Sequence, residues 1–235
     1  MLTKELRRAV CVHEAGHAII HALGGASVYR LGVAPAGSAS WSYPPRKGRP
    51  CLDAWGACEV SDVPFAFMHL EWDDDGFCFW ADRDQFEQLA RAMRKALGKA
   101  SGQQHAAGTP LAVWRHQVRA DACGILAGPI AESLYDGSEF YIDDTGHSPS
   151  NDLDRALGLT QLLPSRETFE RLGHMTEDAL KTPGVWRRVT ALAEELEHRG
   201  SMDYDDIIGF LPEPLPDWPS TTRRSARAAL AALVE

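Results

Sequence analysis

The stretch AVCVHEAGHAIIHAL, residues 9–23, sets His13, Glu14 and His17 into a run that, His21 apart, is otherwise apolar or small. A helix can bury imidazoles and a carboxylate only where hydrogen bonds, a charge partner or a metal ion offset the cost of taking polar groups out of water. The spacing points to a metal. Residues four apart on a helix lie about 40° from one another and ~6 Å along its axis, so His13 and His17 can aim ring nitrogens at one ion. Glu14, about 100° further round, stays out of the coordination shell and is placed as general base toward a zinc-activated water. Thr3 and Glu5 before the apolar stripe, and Gly24-Gly25 after it, predict a capped helix between them. Gly16 leaves room for another element to approach. His21 is ~12 Å along the axis from His13 and reads as packing or support rather than as a ligand.

The rest of the composition is that of an ordinary globular chain. Of 235 residues, 44% are hydrophobic and 24% charged, enough to bury a sizeable core. A net charge of −9 argues against a nucleic-acid partner, which calls for a clustered basic surface. The five cysteines, Cys11, Cys51, Cys58, Cys78 and Cys123, form no C-x-x-C pair, which suits reduced thiols and a cytoplasmic setting. The charged start MLTKELRRAV lacks the apolar core of a signal peptide, and no run approaches 18 apolar residues, so no membrane span is expected.

The pattern along the chain predicts a mostly α fold with a small β-sheet, of the α+β class. ASVYRLGVAP and GFCFWAD read as strands. Between them, residues 41–72 carry scattered Trp and Phe without a period and read as an irregular insertion. Helical patterns follow from Asp84, in PLAVWRHQVRADACGILAGPIAESLYDG, and in SNDLDRALGLTQLL with Ser150 as N-cap; further helices are expected over about 166–173, 176–199 and 220–234. LPEPLPDWP, from Leu211, is a Pro-rich connector. Two units are expected: a core over 1–165, and a C-terminal helical subdomain over 166–235 packed on it.

The phrase LTKELRRAVCVHEAGHAII resembles the start of the protease domain of the FtsH family, the membrane-anchored, ATP-dependent zinc proteases. Three more segments resemble that family in order: GFCFWAD its edge strand beside the active site, LAGPIAESLYDG its G-G-R-x-A-E-E helix, and SPSNDLDRAL its A-S-N-D-x-x-x-A segment with the third metal ligand. The resemblance implies a zincin-like metallopeptidase domain, with an HExxH helix, a short sheet and a C-terminal helical bundle. It also implies one Zn2+ per chain on His13, His17 and Asp152, with Glu14 catalytic, and a substrate strand along Phe77, Cys78, Phe79, Trp80 and Ala81. Two departures stand out. The G-G-R reads Ala127-Gly128-Pro129, and no G-x-x-x-x-G-K-[ST] loop exists in the chain, so an ATPase motor is not expected here.

For the third ligand, Asp152, Asp154, Glu132 and His147 compete. Asp152 and Asp154 point roughly 200° apart on a helix, so only one can face the motif. The Asp152 face continues through Ala156 and Leu159, suited to packing, whereas Asp154 is expected on a wetter face. Position and resemblance both favour Asp152, with Glu132 as a carboxylate supporting a ligating histidine. The function expected is a stand-alone zinc metalloendopeptidase acting on unstructured polypeptide or a partner's exposed segment, as a homo-oligomer or with an ATPase acting in trans. The alternative is a non-catalytic, metal-stabilised interaction module that binds through Trp41, Trp55, Phe65, Phe67 and Trp72.

Overall fold

Helix α1 (Lys4–Leu23) begins where Thr3 Oγ1 accepts the Leu6 N–H at 3.2 Å, and ends where the Gly24 N–H reaches the Ile20 carbonyl at 3.0 Å. From Cys11 to Leu23 it is buried almost throughout, with His13 half-buried, so the helix is a central element rather than a surface one. The computed structural model describes residues 1–39, 41–43, 51–52, 55–61, 69–76, 78–101, 110–140, 151–165, 167–220 and 223–231.

Strand β1 (Val28–Val33) follows α1 and forms the middle of a three-stranded antiparallel sheet, between β4 (Gly56–Val60) and β7 (Ser201–Asp203). Leu31 stands opposite Cys58 on one side and Met202 on the other. Two short ribbons complete the described strands: β2 (Ser42–Tyr43) with β3 (Cys51–Leu52), and β5 (Leu70–Asp73) with β6 (Cys78–Ala81). The expectation of an irregular insertion over 41–72 is therefore corrected, since β2, β3, β4 and most of β5 fall inside it. Strand β4 has no period of its own because all five of its residues are half-buried, covered by β1 and α1 together rather than on one face.

Helices make up most of the described chain, which gives an α+β fold. Helix α2 (Arg83–Ser101) precedes α3 (Pro110–Asp136), which lies along α1. The contact between α1 and α3 depends on small residues: a Cβ added at Gly16 would lie 2.7 Å from both the Ala127 carbonyl oxygen and the Ala131 Cβ. Helix α4 (Asp152–Thr160) packs on α3, and its N-cap is Asn151 rather than Ser150, which lies outside the described residues. The longer Asn151 side chain accepts from the Leu153 N–H at 2.8 Å and the Asp154 N–H at 3.3 Å, satisfying two orphan donors.

Helices α5 (Phe169–Leu180) and α6 (Pro183–Arg199) meet at Lys181-Thr182, later than the expected break near 174–175, because Pro183 is tolerated only in a first turn. A left-handed Gly200, φ +75°, closes α6 and turns the chain into β7. The short helix α7 (Tyr204–Ile207) and helix α8 (Arg223–Leu230) come last. Residues of α1, α3, α4, α5, α6 and α8 share one buried apolar cluster. Within it, Arg119 of α3 forms a buried ion pair with Glu167 at 3.0 Å, and its Nε donates to the Pro219 carbonyl at 3.4 Å. Among the described residues, no helix is long and apolar enough to cross a membrane.

Candidate metal centre

Three elements bring the site together: α1 supplies His13, Glu14 and His17, α3 supplies Gly124, Gly128 and Glu132, and the first turn of α4 supplies Asp152. His13 Nδ1 stands 2.9 Å from Glu132 Oε2, and His17 Nδ1 stands 2.8 Å from the Gly124 carbonyl oxygen. Both partners are acceptors, so each Nδ1 carries its proton and donates it. Both Nε2 atoms consequently turn a lone pair inward. They converge on one oxygen, Asp152 Oδ2, at 3.1 Å from His13 and 3.2 Å from His17.

Three electron-rich atoms brought together in this way call for a cation or for added protons. The nitrogen and oxygen atoms offered by His13, His17 and Asp152 all lie within 4.8 Å of one another. A tetrahedral ion with bonds of about 2.0–2.1 Å needs ligand atoms roughly 3.3 Å apart, close to the two separations observed. Helix α3 leaves the space open: a Cβ at Gly128 would come 2.3 Å from His17 Nε2 and 2.5 Å from His13 Nε2. The group can therefore hold a metal ion, and among the described residues it contains three protein ligands.

Without a metal, the same geometry binds protons. Burial works against a charge on His13, but its hydrogen bonds to Asp152 and Glu132 and the nearby Glu14 and Asp152 charges prevail and lift its pKa to about 10. Asp152 is buried too, yet the positive His17 and the hydrogen bonds from His13 and His17 hold it well below the usual carboxylate range.

Glu14 is buried, at 7% exposure, and stands outside the ligand group. Burial raises its pKa; the positive His13 and His17 oppose that shift, while Asp152 and Glu132 reinforce it. The carboxylate lies against β4, where a Cβ added at Gly56 would fall 2.3 Å from Glu14 Oε1. Gly56, Gly124 and Gly128 are thus parts of the site that the sequence reading missed. The one available signal was the Ala127-Gly128-Pro129 departure, which placed a glycine within α3, one turn before Glu132.

His21 is packed rather than ligating. A Cβ at Gly124 would lie 2.4 Å from its Nδ1, and burial, with help from the His17 and Arg155 charges against Asp152, lowers its pKa to about 3. Asp154 departs from the wetter face expected for it: it is 4% exposed, and the open flank of α4 falls at Leu157, because α3 and β6 cover the helix on more than one side. His147 lies outside the described residues.

Of the expected substrate strand, Phe77 lies outside the described residues, and Cys78, Phe79, Trp80 and Ala81 form β6. Strand β6 rests on the later part of α4: a Cβ at Gly158 would lie 2.6 Å from the Phe79 Cβ. Of the aromatic set, Phe65 and Phe67 lie outside the described residues, while Trp72 packs edge-on against Phe79 with ring centroids 5.0 Å apart. The sequence matches no model of a known protein family, and no curated protein matches it.

Proposed function

We propose that this chain is a zinc-dependent endopeptidase of the zincin type, acting on unstructured polypeptide or on a partner's exposed segment. The observation that carries it is the convergence of two Nε2 lone pairs on Asp152 Oδ2, both Nδ1 protons being already donated, with the buried Glu14 carboxylate beside them. Imidazole and carboxylate ligands suit zinc, and a three-ligand set with an adjacent unliganded carboxylate is the pattern of catalytic rather than structural sites. The resemblance of the HEAGH, GPIAESL and SNDLDRAL segments to the FtsH protease domain supports the same reading, with the cytoplasm as the setting.

Within such a site, His13, His17 and Asp152 would hold the ion, and Glu132 and the Gly124 carbonyl keep both imidazoles in the tautomer that presents Nε2. When bound, zinc supplies Lewis acidity toward a water and toward a substrate carbonyl. Glu14 takes the proton from the attacking water and returns it to the leaving amine. Its raised pKa brings the carboxylate nearer to neutrality, where a group that must both accept and donate works best. Segments that are already extended are the substrates, with any unfolding of a folded protein supplied by an ATPase.

Metal analysis of the purified protein combined with digestion of an unstructured protein tests this, comparing wild type with Glu14→Gln. The variant is expected to keep zinc and to lose about 100- to 10,000-fold in kcat/KM. Equal digestion by both would refute the role of Glu14. Zinc without digestion in either would favour a metal-stabilised interaction module.

A further inference from the structure

The β5–β6 ribbon has one edge that is closed by a side chain. Among the described residues β6 pairs only with β5. The Asp82 N–H bonds to the His69 carbonyl on the β5 side, so the alternate residues Phe79 and Ala81 turn their main-chain groups outward. There Gln161, the residue that ends α4, meets both: its Nε2 donates to the Phe79 carbonyl at 2.6 Å, and its Oε1 accepts the Ala81 N–H at 3.2 Å.

A primary amide has an N–H on the same side as its C=O, so one side chain can donate to and accept from the same strand edge. The Phe79 C=O and the Ala81 N–H, both taken by Gln161, are two of the outward main-chain groups that a neighbouring strand would need for pairing. Its surroundings suit a guest strand. Phe79 and Trp72 face α4 and anchor the ribbon, while the opposite face is open, with Trp80 54% exposed beside the edge. Gln161 is itself exposed, so it can swing away without opening the core.

We propose that Gln161 is a displaceable plug on a strand edge that receives extended polypeptide by main-chain pairing, and that binding there requires its amide to leave. The identity of the guest as substrate rests on the peptidase reading. Gly158 and Gln161 lie six and nine residues beyond Asp152, about 9 to 13 Å along α4. At about 3.3 Å per extended residue, that places the edge roughly three to four residues away from the bond to be cut. Gln161 therefore acts on capture of the chain and leaves the metal ligands alone.

The test is fluorescence anisotropy with a fluorescein-labelled ten-residue peptide of alternating Thr and Val, titrated with the full chain in a Glu14→Gln background so that no turnover occurs. Gln161→Ala is expected to bind at least fivefold more tightly than the parent, with unchanged zinc content. Gln161→Glu, which keeps the acceptor for Ala81 but cannot donate to Phe79, is expected to fall between them. The same peptide N-methylated on every amide should not bind any of the three. Equal or weaker binding by Gln161→Ala, or full binding of the N-methylated peptide, overturns the proposal. Because cleavage is not read here, a chain that binds in this way but never hydrolyses peptide refutes the peptidase reading and leaves the edge site standing. A chain that hydrolyses peptide while Gln161→Ala binds no more tightly does the reverse.

Discussion

Two glycines separate the jobs of the site. A side chain at Gly128 would occupy the space in front of both Nε2 atoms, whereas one at Gly56 would strike only the Glu14 carboxylate. Gly128→Ala is therefore expected to lower zinc content sharply. Gly56→Ala should keep zinc but lose activity, and atomic absorption alongside a peptidase assay tells the two apart. Asp152→Ala should weaken zinc binding strongly in a chelator competition titration. Asp154→Ala should leave it within a few fold and instead lower the thermal midpoint, because Asp154 is buried on α4 away from the ligands. Since burial raises the Glu14 pKa, the carboxylate form is lost as pH falls through that raised value, above the ordinary ~4.3. The acid limb of kcat/KM is expected to follow that loss, with zinc content measured on the same samples to separate it from loss of metal.

At the scale of elements, α1 and α3 approach so closely that their shared surface consists largely of glycine and alanine. Gly16→Ala would press a methyl against the Ala127 carbonyl at 2.7 Å, and should cost about 1–3 kcal/mol, read as a lower thermal midpoint with the metal ligands intact. Much of this layout was legible in the sequence. The limits of α1 follow from Thr3 and from Gly24, and β1 and β6 from their β-branched and aromatic runs, because each signal lies within the element it describes. What stayed hidden depends on neighbours. Strand β4 is half-buried by β1 and α1 rather than by an alternation of its own, and Asp154 is covered by elements distant in sequence. The His13–Glu14–His17 set was readable for the opposite reason, since helical geometry alone juxtaposes residues four apart.

For the molecule as a whole, the site couples stability to pH. In the metal-free protein His13 has its pKa raised to about 10, so its contribution is complete below about 6.5 and disappears as pH rises through about 10. Asp152, held low, contributes above about 3.9 and loses that contribution as pH falls further. The thermal midpoint of chelator-treated protein is thus expected to decline between pH 7 and pH 10, while zinc-loaded protein, in which a neutral His13 is the required form, should not show that decline. An unchanged midpoint in the chelated protein across this range would show that the His13–Asp152 pair carries no such charge.

Asp152 is 139 residues from His13 along the chain, yet only 3.1 Å from it in space. An ion held by both is, in polymer language, a cross-link that closes a very long loop. Its two histidines are neighbours on a single helix and can meet an ion while the rest of the chain is still searching, but the carboxylate arrives only once α3 and α4 have docked. Tight capture is thereby a report that this long-range contact has formed. On the proposed zinc reading, each tenfold rise of free zinc above its dissociation constant would add about 1.4 kcal/mol to the stability of the folded state, so that stability would follow the metal supply around the protein.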